Sequence, residues 1–381
     1  MSTSLPPNSE PVVAQPPDSQ KHKPTPTTQR RQGKSITQKL TILAALVILV
    51  LGYVCIASPS FAYPPPDTTI TPEPTSTATG VQIASLASTP TPLATATGLP
   101  TDTPTPTPTA TPLPGTQYVV IISIDGLRPD ALDLADTPTL DRLRAKGAYC
   151  PSAQTVRISE TLPGHASMLS GMIPEKHGVL WGLPYIGWPG MNGPTLFNVA
   201  HDAGLATAMV LGKEKLSYLV LPNSVDELFC AEVHDTQIKD QALEVIEAGL
   251  PHVLFVHFPD TDRVGHNYGW MSCNQLQSIR FVDGLIGEIL IALENGGYLD
   301  STLLIVTADH GGHGFGHGDD SPLDRTIPWL AVGPRVPGGV TLTRHIDIYD
   351  TAATALYALE LPIPETWDGQ PILEILQVPS Q

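Results

Sequence analysis

Late in the chain, Asp262-Arg-Val-Gly-His266 and Asp309-His310 supply two carboxylates and two imidazoles, and His317 adds a third imidazole. Far upstream, Asp125 follows the apolar run Val119-Val-Ile-Ile-Ser-Ile124 and adds a third carboxylate. Six such side chains are about what a pair of divalent metal ions needs. Oxygen and imidazole donors without cysteine suit Zn²⁺ or Mn²⁺ in an open catalytic site, whereas calcium would take more oxygens. Between the two groups lies Thr161, in Glu160-Thr-Leu-Pro-Gly-His165. Its hydroxyl could attack phosphorus once a metal ion activates it. Ser159 is the rival hydroxyl. Lys213, in Gly212-Lys-Glu-Lys215, could add positive charge, although a lysine at a strand end is commonly solvated. Ordinary readings exist for single strings: Asp125-Gly126 as a turn and Thr161 as a helix cap.

Positioning these residues requires strands that end at one edge. Short apolar runs flat in polarity predict strands near 117–124, 206–211, 252–258, 302–308 and 328–332, as expected where both faces of a sheet are covered. Helical patterns fall near 137–146, 163–172, 194–204, 236–249, 274–295 and 347–359. Thr137-Pro138 reads as a helix start with a capping hydroxyl, Gly147 as the stop, and Asp347 as the cap of the last helix. This alternation predicts an α/β fold with a largely parallel central sheet and helices on both faces. Asp125, Asp262-His266 and Asp309-His310 each follow a strand, at the edge where open α/β sheets gather ligands. The glycines after His310 are expected to let the backbone bend so that both Asp309 and His310 reach metal.

The remainder of the chain is organised differently. Residues 1–39 are polar, hold six Lys/Arg against two acidic residues, and are expected to form a disordered cytoplasmic tail. Residues 40–58 carry no charge and are just long enough for a transmembrane signal anchor. Arg30, Arg31, Lys34 and Lys39 precede this run and no Lys or Arg follows it until Arg128, which places the bulk of the chain outside the cytoplasm. Cleavage after Ala62 is the alternative to a retained anchor. Residues 59–116 form a Pro/Thr-rich linker that favours extended polyproline II. The folded part, 117–381, holds 14 Lys/Arg against 32 Asp/Glu, so binding to duplex nucleic acid is not expected. Of its three cysteines, Cys150, Cys230 and Cys273, an odd count leaves at least one without a partner in that part.

The strings Ile124-Asp-Gly126, Thr161-Leu-Pro-Gly-His165, Pro174-Glu-Lys-His-Gly178, Asp262-Arg-Val-Gly-His266 and Thr307-Ala-Asp-His-Gly311, in this order, resemble the alkaline phosphatase superfamily. Within it they are most similar to the type I phosphodiesterase/nucleotide pyrophosphatase branch. The resemblance covers nearly all of 117–381. It implies two divalent ions, typically zinc, one held by Asp125, Asp309 and His310 beside Thr161, the other by Asp262, His266 and His317, with His313 as a rival for the last place. It also implies a threonine nucleophile, a phosphothreonine intermediate and a small phosphorylated substrate such as a nucleotide. His165 and His177 are expected to be structural. One departure stands out: relatives often carry an asparagine donor where this chain has Gly182. The nearest alternatives are a phosphomonoesterase or phosphonate hydrolase. A sulfatase would need a cysteine or serine with proline and arginine following it, and no such string surrounds Thr161. An alternative of another class is a tethered binding protein without catalysis.

Overall fold

The computed structural model describes residues 115–376 except 186 and 189. The expected tail 1–39, the anchor 40–58 and all but the last two residues of the linker 59–116 lie outside the described residues. Among the described residues, no helix is long and apolar enough to cross a membrane. In chain order the elements are β1 (Tyr118–Ile124), α1 (Pro138–Lys146), β2 (Ala148–Gln154), α2 (Thr161–Ser170), α3 (Pro174–His177), α4 (Leu196–Asp202), β3 (Thr207–Leu211), β4 (Glu227–Cys230), α5 (Asp235–Gly249), β5 (Val253–Phe258), α6 (Asp260–Tyr268), α7 (Cys273–Asn295), β6 (Thr302–Thr307), α8 (Pro322–Arg325), β7 (Thr326–Val332), β8 (Val340–Thr341) and α9 (Asp350–Ala358).

Eight strands form one sheet in the order β4-β3-β5-β1-β6-β7-β2-β8. Its centre is the apolar trio β5, β1 and β6. Val253–Phe258 and Thr302–Thr307 are buried along their whole length, and β1 is buried from Val119 onward. Such strands cannot face water on either side, so helices must cover both faces. All three run parallel in close register, with Ile124 opposite Phe258 and Ser123 opposite Thr307. Their carboxyl ends are therefore level, and the segments after them start from one edge. Around the sheet, Trp329, Phe197, Phe255 and Phe258 are the largest fully buried side chains.

The sheet is largely parallel, as expected, and is made mixed by one strand. β7 runs antiparallel to both β6 and β2. Strands β2, β4 and β8 were not legible as strands. β2 carries Pro151 and Ser152 with exposed side chains and a register irregularity between Cys150 and Ala153. β4 is short and half-exposed, and β8 has two residues. α1 starts at Pro138 as expected, yet the Thr137 hydroxyl makes no capping bond. α9 starts at Asp350, capped by Tyr349 rather than by Asp347. There the Asp350 carboxylate reaches back to accept from the Asp347 N–H, so the aspartate inside the first turn closes the loop. Cys150 and Cys230 carry free thiols.

Candidate metal centre

Asp125 leaves the end of β1 and is fully buried. Asp309 and His310 leave the end of β6 and are buried too. Asp262 and His266 lie one turn apart on α6, a helix that begins two residues after β5. Geometry at this spacing puts both on one helix face. His317 comes from the loop between β6 and α8. These six assemble as two triads: Asp125 with Asp309 and His310, and Asp262 with His266 and His317. Either triad could hold a metal ion. The His310 and His317 rings stack with centroids 3.7 Å apart, so the two triads adjoin. His313, the rival for the last place, stands outside them and bonds instead to Asp324 at 2.6 Å.

The side-chain polarity of both triads follows one pattern. Each carboxylate has one oxygen anchored by protein donors and the other left over. Asp125 Oδ2 accepts from His257 Nε2 at 2.9 Å and pairs with Lys213 Nζ at 2.7 Å. Asp309 Oδ1 accepts from the Gly126 N–H at 3.1 Å, and Asp262 Oδ2 from Lys213 Nζ at 2.6 Å. The remaining oxygens, Asp125 Oδ1, Asp309 Oδ2 and Asp262 Oδ1, are buried without a hydrogen-bond partner among the described residues. A buried orphan carboxylate oxygen is costly, so three together indicate cation sites.

Imidazole orientation agrees. The Nδ1–H groups of His266, His310 and His317 donate to the carbonyl oxygens of Phe315, Gly311 and Ser159 at 2.9, 2.8 and 2.8 Å. A carbonyl can only accept, so in each neutral ring Nε2 is the lone-pair nitrogen, the arrangement that metal-binding histidines use. His266 Nε2 and His317 Nε2 lie 3.1 Å apart and face Asp262 Oδ1 at 3.4 and 3.5 Å. His310 Nε2 faces Asp125 Oδ1 and Asp309 Oδ2, each at 3.3 Å. Donors on a tetrahedral ion with bonds of about 2.0–2.1 Å stand about 3.3 Å apart. Both triads therefore fit zinc-sized ions.

Charge repulsion within the first triad is visible in its proton affinities. Burial, then the neighbouring Asp125, pushes Asp309 up to about 7. Burial alone would raise Asp125 as well, but Lys213, the hydrogen bond with His257 and the neighbouring His310 hold it well below the usual carboxylate range. For His310 burial opposes the proton, yet Asp309 and Asp125 hold the ring up at about 9. In the second triad burial, then His310, lowers His317 to about 4, leaving it a neutral donor.

Thr161 opens α2 as its first residue, after Glu160 as N-cap, and does not cap the helix. Its Oγ1 is buried beside the first triad, 3.4 Å from His310 Nε2 and 3.5 Å from Lys213 Nζ. Ser159 is occupied elsewhere: its hydroxyl donates to the Asp319 carbonyl at 2.7 Å. His165 holds the Thr161 carbonyl through Nδ1 at 2.7 Å and meets the Ser123 hydroxyl through Nε2 at 2.9 Å. His177 accepts from the Val179 N–H and meets Ser167, with burial lowering it to about 4. Neither is in a triad. Lys213 is nearly fully buried rather than solvated. Burial alone would lower it, but Asp125 and Asp262 raise it above its ordinary value. Substituting Lys213 by methionine leaves two buried carboxylates unpaired. In chelator, urea unfolding should show a loss of about 3 kcal/mol, the scale of a broken buried pair. A loss below about 1 kcal/mol would show that the pairing contributes little.

Sequence patterns did not single out His257 or Trp270. His257 sits inside β5, where its ring looks like any buried strand residue. Trp270 donates from Nε1 to the Gly126 carbonyl at 2.9 Å and sets its edge against the His266 ring. It also explains one glycine after His310. A Cβ at Gly312 would come 2.2 Å from the Trp270 ring, so close approach rather than a bend requires glycine there.

Comparison with known proteins agrees with this arrangement. The family model described as type I phosphodiesterase / nucleotide pyrophosphatase matches residues 119–181 and 193–329. A bis(5'-adenosyl)-triphosphatase of Mus musculus is 26% identical over 216 residues, covering 51% of this chain and 46% of the relative. The chain spans less than half the length of that relative. An inactive variant of murine ectonucleotide pyrophosphatase / phosphodiesterase 5, solved with AMP, superposes with a TM-score of 0.57 at 16% identity, over 65% of this chain and 96% of that one. A phosphonate monoester hydrolase from Silicibacter pomeroyi gives 0.56 at 15% identity, over 70% of this chain and 78% of the other. At such identities the structural likeness is one of fold.

Proposed function

Because the chain belongs to the type I phosphodiesterase / nucleotide pyrophosphatase family, we propose that it is a two-metal phosphoric ester hydrolase with Thr161 as nucleophile. The observation that carries this is the pair of adjoining triads, with three buried orphan carboxylate oxygens among them and the Thr161 hydroxyl beside His310. Asp125, Asp309 and His310 would hold one ion, and Asp262, His266 and His317 the other. Zinc suits the donor set, and manganese is the second choice. Bound ions supply Lewis acidity, lowering the pKa of coordinated hydroxyls and offsetting charge on the phosphoryl oxygens.

The chain's own residues do the rest. Thr161 Oγ attacks phosphorus in line, the bond to the leaving oxygen breaks, and a phosphothreonine forms. Water then attacks the same phosphorus, the Thr161 Oγ–P bond breaks, and the hydroxyl is restored. His165 fixes the Thr161 backbone, and the α2 N-terminus favours the phosphoryl anion. Lys213 Nζ, within 3.5 Å of Thr161 Oγ1, adds positive charge at the transferring group, where family members often use asparagine and this chain has Gly182.

A nucleotide is the substrate class we favour, since the murine relative is named for cleaving a dinucleoside triphosphate and the other murine protein was solved with AMP. Trp181 and Tyr185 meet edge to face at 5.0 Å and are about half exposed, so a base could stack on them. Trp188 stacks on Tyr218 at 5.2 Å, and both Trp188 and Phe229 pack against the core. The sequence supports export, with 40–58 as a retained anchor, 59–116 as a spacer and release after Ala62 as the alternative. The test uses the purified full-length protein with bis(4-nitrophenyl) phosphate. Hydrolysis should vanish with chelator and return with zinc. Hydrolysis untouched by chelator, or none in zinc-loaded protein, would refute the reading.

A further inference from the structure

Next to Thr161 stands a carboxylate for which the reaction above has no use. Glu160 is the N-cap residue of α2, and its side chain makes no capping bond. Among the described residues that carboxylate has no donor and no ion-pair partner. It lies instead in the space that Gly182 leaves, with Gly318 at ordinary contact distance. A Cβ at Gly182 would come 1.5 Å from Glu160 Oε2, and one at Gly318 would come 3.5 Å from Oε1. Gly318 directly follows His317, and the His317 ring is tied to the carbonyl of Ser159, the residue before Glu160. The carboxylate thus stands beside Gly318, the residue after a member of the second triad, on the segment that carries Thr161. It is half-buried, so water screens it only in part.

We infer that Glu160 is a specificity-determining residue that ranks substrates by phosphoryl charge, disfavouring a dianion at Thr161 relative to a monoanion. The inference rests on the proposed phosphoryl transfer at Thr161. A phosphate monoester carries close to two negative charges near neutral pH, because its second pKa is about 6. A diester carries one. A carboxylate on the residue before Thr161 repels the monoester about twice as strongly, while the attraction of the metal centre is common to the parent and its variants. The extra unit charge at a partly screened site corresponds to about tenfold in relative rate.

The test measures kcat/KM of the zinc-loaded full-length protein for 4-nitrophenyl phosphate and bis(4-nitrophenyl) phosphate at one pH near 8. Glu160→Gln should raise the monoester-to-diester ratio by about tenfold. Glu160→Ala, a second uncharged variant, should shift it the same way should the glutamine variant fold poorly. Glu160→Asp keeps the charge and should keep the parent ratio within about threefold. Apart from turnover, the Kd of inorganic phosphate, read by calorimetry, should tighten in Glu160→Gln. An unchanged ratio together with an unchanged phosphate Kd overturns the inference while leaving hydrolysis at Thr161 standing. Hydrolysis of neither ester by the parent would instead overturn the underlying reading, so the two failures are distinct.

Discussion

Thr161→Ala should lower kcat by about 10⁴-fold or more, the scale seen when a nucleophile is removed from an otherwise intact site, while metal content should stay at the parent value. The reasoning is geometric. Thr161 Oγ1 is the hydroxyl set beside the first triad, 3.4 Å from His310 Nε2 and 3.5 Å from Lys213 Nζ. It contributes no cap to α2, so its loss should leave the helix in place. Thr161→Ser keeps the hydroxyl and should keep measurable turnover. Kinetics with elemental analysis of the same samples check this. Alanine-variant activity within about tenfold of the parent would remove Thr161 as nucleophile and reopen the choice of hydroxyl.

The second large effect separates His317 from His313. His317→Ala removes one lone-pair nitrogen from a triad whose Nε2 atoms stand 3.1 Å apart. Losing a donor outright should weaken that ion at least as much as losing a supporting residue, which costs about 10–100-fold in affinity or activity. Zinc content of the dialysed protein should fall from two ions per chain toward one, with kcat/KM down by about 100-fold or more. His313→Ala cuts only a hydrogen bond to Asp324 and should leave metal content unchanged and activity within about threefold. The reverse ranking would assign the last ligand to His313.

Much of this centre was readable before any coordinates, because its parts sit at the ends of strands that have little choice. Buried runs such as Val253–Phe258 and Thr302–Thr307 announce themselves by composition, and the segment leaving each strand is then set in direction and level. Asp262 and His266 share a helix face by spacing alone. Less legible were features that depend on partners far away in the chain. β2 is a strand because β7 lies beside it, despite Pro151 and two exposed side chains. The antiparallel course of β7 follows from the path of the 308–325 loop, which no local pattern records. His257 and Trp270 support the centre only through contacts with Asp125, Gly126 and His266. The requirement for glycine at position 312 comes from a close approach to Trp270, a residue some forty positions upstream.

Anomalous diffraction at the zinc edge, on crystals of the zinc-loaded protein, would locate the ions without reference to activity. The triads predict two peaks per chain, one among Asp125, Asp309 and His310 and one among Asp262, His266 and His317, with Thr161 beside the first. A zinc-loaded crystal with no peak in either triad, or with ions bound only elsewhere, would contradict the proposed two-metal centre.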